Sequence, residues 1–405
     1  MYKIVGSIFL ITGLLIWWFI SPLGIEILLH FDRLIGLIAL FFLLPLLNAV
    51  VKVGRYDQIL SSIITTNTKN VYQLYQKTSL ISYILSIFLN LAVIPVLFDS
   101  VKKNIQHLGE KFLVAFFSHS ILRPYTLALL WSPTELLLAV TIDFTGQKYL
   151  TLLPILLSIS IFVYFIDLLL HKIKYQKITL SGEKQQDSSF HPLFKRKIAE
   201  FMIAILLFIC AASLLNQLLM QGFLFTLITL IFPFSFIWSL FVKKPKRFLK
   251  LGSLLIKNNE TSISGIFFLF LSAGFFVEMI FYTSVFSQIN TLLLNIYQQY
   301  SLFIFYLIIG LCFLVLALVG FHPMVSMSVL FPFLESFVSE VPLGIAVTVV
   351  CAAMSTSMFG PFNVTPSVLA VLIRKSPYHI TKQNFLFSLC FITAGALIAF
   401  LLTVW

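Results

Sequence analysis

The stretch Leu129–Leu138, LLWSPTELLL, places a proline and a glutamate inside an otherwise apolar run. A second stretch, Met358–Pro366 or MFGPFNVTP, lies in the other half of the 405-residue chain. Its Phe359-Gly360-Pro361 has the same aromatic–small–proline order as Trp131-Ser132-Pro133. Proline removes a backbone N–H donor and interrupts an α-helix. The sequence therefore predicts an interrupted helix at a matching place in each half.

The composition is that of a membrane protein. Hydrophobic residues make up 60% of the chain and charged residues 10%, and the mean hydropathy is +1.02. A soluble domain carries about 25% charged residues. Apolar runs of about 20 residues, the length that a helix needs to cross a bilayer, recur along the chain. The first run, 4–20, lacks a small-residue cleavage site and is interpreted as a retained helix. We expect an all-α polytopic membrane protein.

Neither the charge nor the cysteines indicate a soluble partner or a cofactor. The net charge is +12, but Lys and Arg concentrate in the loops 52–78, 171–197, 243–257 and 374–382. Cytoplasmic loops of membrane proteins are enriched in these residues, so we place the four loops inside and expect no nucleic-acid partner. The four cysteines are scattered, and no phosphate-binding loop, zinc-binding pattern or dinucleotide fingerprint occurs. We expect no cofactor and no metal site.

Two apolar segments, 112–146 and 343–373, are too long for one ordinary span, and each contains a proline motif. If each enters the membrane, turns at its proline and leaves on the same side, nine crossings put every basic loop inside. The hairpin at 112–146 then opens outward and the hairpin at 343–373 opens inward. This arrangement predicts an inverted-topology repeat with two re-entrant helical hairpins. The sequence leaves open the alternative that each segment is a broken crossing helix.

This topology divides the chain. Residues 1–170 form the first repeat, 171–197 a cytoplasmic linker, and 198–405 a connector helix followed by the second repeat. The N-terminus lies inside and the C-terminus outside a bacterial cytoplasmic membrane.

The interrupted segments also give the candidate site. Lipid cannot satisfy irregular backbone at membrane depth, so such backbone is buried by protein or lines a wet cavity. A proline kink supported by neighbouring helices is the purely structural alternative. The predicted substrate-binding residues are Arg123, Ser132, Pro133, Thr134, Gly360, Pro361, Asn363 and Thr365. The predicted ligands of a coupling ion, sodium or a proton, are Glu135, Glu278 and Ser357.

Ionisable residues within apolar segments are costly and are therefore functional candidates. Arg123 has two interpretations, one as the ligand of an anionic solute and one as the partner of Glu135. Glu278 binds a coupling cation or pairs with a neighbouring helix. Asp167, near a predicted helix end, is expected to be structural. His119 and His322 are expected only to form hydrogen bonds.

The segments Arg123–Val140, Gly320–Ser326 and Met358–Val371 resemble uncharacterised bacterial members of the ion transporter superfamily. This superfamily contains arsenite, citrate and dicarboxylate carriers and NhaD-type sodium/proton antiporters. The resemblance implies a secondary carrier, often a homodimer, that holds its solute between two hairpin tips. Dicarboxylate carriers have Ser-Asn-Thr at both tips, whereas this chain has Ser132-Pro133-Thr134 and Asn363-Val364-Thr365. The resemblance therefore does not carry over carboxylate recognition.

The leading hypothesis is an ion-coupled secondary transporter for a small, anionic solute, working by alternating access in the lipid bilayer and not as an enzyme. The alternatives are a sodium/proton antiporter, a structural membrane protein and a membrane-embedded enzyme. The enzyme would act on a lipid-linked substrate with His119, Arg123 and Glu135 as acid/base groups. Short outer loops argue against it.

Overall fold

The computed structural model describes residues 2–20, 35–64, 66, 68–180 and 192–404. Within these ranges the chain is helical, with one isolated bridge between Asn70 and Thr179 and no strand. The helices of the first part are α1 Tyr2–Ile20, α2 Ile35–Val53, α3 Tyr56–Ser61, α4 Val71–Leu89, α5 Val93–Ile105, α6 Glu110–Phe117, α7 Arg123–Leu129, α8 Leu136–Thr145 and α9 Tyr149–Tyr175. Those of the second part are α10 Pro192–Leu219, α11 Phe223–Phe241, α12 Pro245–Phe281, α13 Ser284–Gln299, α14 Leu302–Val319, α15 Pro323–Val338, α16 Pro342–Phe359, α17 Val364–Ile373 and α18 Pro377–Val404.

The lengths and surfaces of these helices are those of a membrane protein. Among the described residues, eight helices are long and apolar enough to cross a membrane, or nine if a pair bent by 81° at α12–α13 counts as one span. Large apolar side chains such as Phe162 and Leu206 remain uncovered on the outer helices, as expected for faces that contact lipid. The prediction of an all-α polytopic membrane protein is confirmed.

The segment between α9 and α10 is shorter than the predicted linker 171–197. Helix α9 continues to Tyr175 and α10 begins at Pro192, so both helices extend into the range 171–197. The polar stretch 181–191 and the predicted loop 21–33 lie outside the described residues. The division into two repeats stays a prediction at this point.

Helices α4 and α5 form a first hairpin, with a tight turn at Asn90–Ala92. The ring of Tyr75 in α4 lies 5.9 Å from that of Phe116, and the ring of Phe98 in α5 lies 4.7 Å from that of Phe117. A straight helix would place residues 75 and 98 about 34 Å apart. Because both instead contact neighbouring phenylalanines, the chain reverses at the turn.

Helices α14 and α15 form a second hairpin, with its turn at Gly320–His322. Phe305 at the start of α14 and Phe337 near the end of α15 have ring centroids 4.9 Å apart, so the two helices are antiparallel. Gly320 has a φ of 115°, a conformation that glycine adopts without strain.

The segment 112–146 is a broken crossing helix. It contains α6, a π-helical turn at Ser118–Leu122, α7, a first break at residues 130–135, and α8. Phe112 near its start packs on Tyr175 at the last turn of α9, with ring centroids 5.5 Å apart. Its other end joins the first residue of α9 through a short connection. Because α9 has 27 residues and is about 40 Å long, the segment runs from one end of α9 to the other.

The segment 343–373 has the same form, with a second break at residues 360–363 between α16 and α17. Gly344 packs against Thr403 at the C-terminal end of α18. Lys375, just beyond α17, forms an ion pair with Glu110 and precedes the start of α18. Since α18 has 28 residues and is about 42 Å long, this segment also runs from end to end.

Of the two arrangements that the sequence left open for these segments, the structure therefore has the broken crossing helix. The proline motifs interrupt a helix without reversing the chain. The reversals occur one segment earlier, at Asn90 and Gly320, in runs that hydropathy alone presents as ordinary crossings. Hydropathy cannot separate these cases because both consist of apolar helix.

The two hairpins open at opposite ends of α18. The first hairpin is followed by Glu110, which pairs with Lys375 at the N-terminal end of α18. The second hairpin is followed by α16, which begins beside Thr403 at the C-terminal end of α18. Helix α16 is buried along nearly its whole length and packs against α7, α8, α14, α15 and α18.

Candidate functional site

The polar side chains of the first break are turned toward the first hairpin. The Thr134 hydroxyl donates to the carbonyl oxygen of Ile87 at 2.7 Å and lies 2.9 Å from the Ser132 hydroxyl. The Glu135 carboxylate caps α8 by accepting from the backbone N–H of Leu137 at 3.3 Å. Ser132, Thr134 and Glu135 are all buried. The first break therefore supplies a hydrogen-bond donor to a carbonyl at the end of α4 and an acceptor to the first turn of α8.

The second break is closed by its own residues and by α18, whose Thr381 hydroxyl donates to the Phe359 carbonyl at 2.7 Å. The backbone N–H of Gly360 and the Asn363 amide both donate to the Thr356 carbonyl, at 2.8 and 2.6 Å. A Cβ atom added to Gly360 would lie 2.5 Å from the Asn363 amide nitrogen. Glycine is thus required here by close approach, and Pro361 follows where no N–H donor is needed.

Tyr125 on α7 joins these elements. Its hydroxyl donates to the Asn90 side-chain oxygen at 2.6 Å, at the turn of the first hairpin. Thr365 at the start of α17 lies beside the same hydroxyl, and the Glu135 carboxylate is near enough to act on it electrostatically. The turn of the first hairpin, the first break and the second break therefore meet around Tyr125.

Asn90 has an unusual backbone conformation at this meeting point. Its φ is 46° and its ψ is −132°, a combination that residues with a Cβ atom rarely adopt. Such strain persists only where the surroundings over-determine it, and it occurs preferentially at functional sites. The hydrogen bond from Tyr125 is one constraint that holds the turn.

Buried charged and polar side chains form a network between α4, α7, α9 and α18. Arg123 Nη1 donates to Asp167 Oδ1 at 2.7 Å, and the Tyr75 hydroxyl donates to the same carboxylate. Arg123 is also bound to α18, through the Asn384 side chain at 3.1 Å and the Gln383 carbonyl at 3.0 Å. Arg123 is 8% exposed and Asp167 3%.

This network changes two interpretations made from the sequence. Arg123 neutralises Asp167 and not Glu135. Three of its donors already have protein partners, so its guanidinium is a structural bridge between α9 and α18. Asp167, expected to be an ordinary residue near a helix end, is at the centre of the network.

Two histidines extend the network. His171 Nδ1 lies 2.8 Å from the Asp167 backbone carbonyl, and His171 Nε2 lies 3.0 Å from His119 Nδ1. His119 Nε2 lies 3.3 Å from the Gln383 carbonyl on α18. We use the name charge network for Tyr75, His119, Arg123, Asp167, His171, Asn384 and the Gln383 carbonyl.

The remaining candidates lie elsewhere. Glu278 lines a cavity of about 650 Å³ between α8, α12 and α15, together with Glu335. Ser357 donates to the Ala353 carbonyl within α16 at 3.2 Å. His322 caps α15 by accepting from the Met324 backbone N–H at 3.3 Å. No cluster of three or more His, Cys, Asp or Glu side chains suited to a metal ion occurs among the described residues.

The structure thus brings together part of the predicted site. Thr365 lies beside Tyr125, and Ser132, Thr134 and Glu135 lie together at the first break, whereas Arg123, Glu278 and Ser357 belong to other contacts. Sequence reasoning missed Tyr125, Asn90, Asp167, His171 and Asn384. The available signals were a lone asparagine in an apolar run and the Asp167/His171 pair, whose spacing places both on one helix face.

The fold as a whole is similar to that of a solved structure, the YdaH transporter of Alcanivorax borkumensis, described as having an unusual topology. The TM-score is 0.63 with 12% sequence identity, and the match covers 98% of each chain. No family model matches the chain, and no curated protein matches it in sequence. At this identity the likeness establishes a shared fold over nearly the whole length.

Proposed function

We propose that the chain is a secondary transporter that moves a small solute by alternating access through a site between the first and second breaks. The observation that carries the proposal is the meeting of the first hairpin turn, the first break and the second break at Tyr125. Broken helices at membrane depth are the usual substrate site of such transporters. The shared fold with a protein described as a transporter supports the same function.

The order of elements supports an inverted-topology repeat. In each half a hairpin is followed by a broken crossing helix and then by a long helix, α9 in the first half and α18 in the second. The two hairpins open in opposite directions. We interpret both hairpins as re-entrant, so that each brings its turn toward the midplane from a different side. A solute at the breaks can then be reached from either side in turn.

The cavity at Glu278 supplies one access path. It is lined by residues of α15 from Met324, next to the turn of the second hairpin, to Glu335, nearer its open end. It therefore leads from the side at which this hairpin opens toward its turn. The solute's charge stays a prediction, because Arg123, which motivated an anion, is bound to Asp167.

Orientation follows from the basic residues. Lys69, Lys102, Lys103 and Lys375 lie at or near the open end of the first hairpin. We place this end in the cytoplasm of a bacterium, and the C-terminal end of α18 outside. The homodimer implied by the resemblance remains a prediction.

The alternative enzyme needs His119, Arg123 and Glu135 in one place. In the structure His119 and Arg123 take part in the charge network, whereas Glu135 caps α8 beside Tyr125. These are two different sets of contacts, and no observation favours a catalytic site over a transport site.

Uptake into proteoliposomes tests the proposal. Purified protein is assayed with a panel of organic and inorganic solutes under imposed sodium and proton gradients. We expect gradient-dependent accumulation of at least one solute, lost in Thr365→Val. Thr393→Val, which removes a hydroxyl bonded within α18, is the matched control and keeps the flux. Absence of flux for every solute, with folded protein, would contradict the proposal.

A further inference from the structure

We propose that His119 and His171 form a proton-binding site that takes up one proton between the two rings, and that this proton is the coupling ion. The inference rests on the proposed function and adds the identity of its ion. It departs from the ligands predicted from the sequence, since Glu135, Glu278 and Ser357 take no part in it.

Counting donors and acceptors along the pair gives the number of protons. The two rings form a chain of three contacts between two backbone carbonyls. The contacts are Asp167 O to His171 Nδ1 at 2.8 Å, His171 Nε2 to His119 Nδ1 at 3.0 Å, and His119 Nε2 to Gln383 O at 3.3 Å. Each contact needs one hydrogen, but two neutral imidazoles carry only two. One imidazole and one imidazolium carry three, and all three contacts are then hydrogen bonds.

The neutral pair and the singly protonated pair each have an unfavourable term in their free energy, so the surroundings do not fix the pair in one protonation state. With two neutral rings, one contact lacks a hydrogen. Two lone pairs, on both ring nitrogens or on a ring nitrogen and a carbonyl oxygen, then face each other in a buried site, which is unfavourable. With the added proton the site acquires a buried positive charge. The Asp167 carboxylate, 3.5 Å from His171 Nδ1, balances this charge only in part, because it is already paired with Arg123. The proton comes from water on the side to which the site is open and adds to a ring nitrogen, and no other bond changes.

Every element packed against the rings contributes to this balance. Helix α4 contributes Tyr75, α7 contributes Arg123, and α18 contributes the Gln383 carbonyl and the Asn384 amide. The other ionisable groups are Asp167, Lys174 and Tyr175 on α9. Burial opposes the added proton most strongly, Arg123 and Lys174 oppose it as well, and Asp167 favours it.

The position of the pair connects the proton to the breaks. The contact from His119, in the π-helical turn before α7, to the Gln383 carbonyl on α18 is the longest of the three, so we assign the missing hydrogen of the neutral pair to it. Protonation then completes this hydrogen bond. The next residue, Asn384, donates to the Met358 carbonyl at 3.3 Å, just before the second break. Proton binding therefore tightens the first half against α18 beside the second break, and proton loss weakens that link.

Imidazole NMR of the ¹⁵N-histidine-labelled protein in lipid, titrated between pH 5 and 8.5, measures the proton directly. We expect both rings to change together in one step that binds one proton. His119→Gln and His171→Gln should each abolish this step, while His379→Gln at the exposed start of α18 leaves it intact. Two separate steps, one for each ring, or no step in this range would overturn the proton-binding site.

The second measurement compares accumulation driven by a pH gradient with solute counterflow, in which no net proton movement is needed. We expect His171→Gln to lose gradient-driven accumulation and to keep counterflow, which also shows that the variant is folded. If His171→Gln and wild type respond equally to the pH gradient, or if only sodium drives wild type, the inference fails while the transporter stands. Absence of counterflow for wild type would instead reject the transporter, and the NMR titration would still decide the proton site.

Discussion

The first and second breaks look alike in sequence, but they are supported differently. The hydroxyl of Thr134 in the first break binds the Ile87 carbonyl in the first hairpin, and nearby Tyr125 binds Asn90 at the turn of the same hairpin. The second break is closed by Asn363 onto the Thr356 carbonyl of its own helix. The first break thus depends on the first hairpin, whereas the second combines its own Asn363 bond with bonds from α18 to the carbonyls of Met358 and Phe359.

This difference has a consequence for the proposed transport cycle. Movement of the first hairpin necessarily changes the first break, because the two share hydrogen bonds. We expect the second break to keep its shape when α16 and α17 move. It is linked to α18, where Asn384 contacts both Met358 and Arg123, and to α7, where Tyr125 lies beside Thr365. We therefore expect the first hairpin and first break to act as one unit.

The largest effect is expected at Arg123, which joins α7 to Asp167 on α9 and to Asn384 beside the second break. Arg123→Met leaves Asp167 buried without its cation, which costs about 3–5 kcal/mol of unfolding free energy. The double variant with Asp167→Leu should lose less, because no buried charge is then left unpaired. Denaturant unfolding of the purified protein measures both. Equal losses in the two would show that the Arg123–Asp167 pair is not the source of the stability.

An exposed ion pair serves as the control. Lys375→Met removes one partner of the Lys375–Glu110 pair, in which the Glu110 side chain is 74% exposed. Surface pairs are worth at most about 1 kcal/mol, so this variant should unfold nearly as wild type does.

A methyl group added to the second break tests its close packing. Gly360→Ala places a Cβ atom 2.5 Å from the Asn363 amide nitrogen. Overpacking of this kind costs about 1–3 kcal/mol, and the break has to open to relieve it. Thermal unfolding measures the loss, and Ser357→Ala, which only removes a bond within α16, is the control. An unchanged melting temperature would mean that the second break is looser than the structure shows.

Removing the hydroxyl that joins the first break to the first hairpin has a smaller effect. Thr134→Val retains the shape of the side chain and loses the bond to Ile87, which is worth about 1 kcal/mol. Thr141→Val loses only a bond to Leu137 within α8 and is the matched control. We expect faster amide hydrogen exchange in the turn of the first hairpin for Thr134→Val alone. Equal exchange in both variants would contradict the coupling.

The smallest effect is expected for the bond between Tyr125 and Asn90. A double-mutant cycle of Tyr125→Phe and Asn90→Ala should give a coupling energy of about 0.6 kcal/mol, typical of side-chain hydrogen bonds in membrane proteins. Tyr125→Phe with Thr365→Val provides the comparison across the second break. A coupling of zero in the first cycle would remove Tyr125 as the link to the hairpin.

Sequence reasoning found the two breaks and the membrane class because each depends on local signals, a proline in an apolar run and the apolar runs themselves. It did not find the hairpins, since the turns at Asn90 and Gly320 are short and flanked by helices of ordinary hydropathy. It also missed the pairing of Arg123 with Asp167, which lie one helix apart in the chain and meet only when α9 packs on α7. The pairing of charges in a membrane protein depends on how its helices pack, and this packing cannot be predicted from composition.

Cysteine labelling in sealed, oriented vesicles tests the central claim most directly, namely that two hairpins enter from opposite sides. Single cysteines replace the exposed residues Lys69 and His107 at the ends of the first hairpin, and Ser301 and Ser339 at the ends of the second, in a chain without native cysteines. A membrane-impermeant reagent should label the first two positions from one side and the last two from the other. Labelling of Lys69→Cys and His107→Cys from opposite sides, or of all four from the same side, would contradict the account.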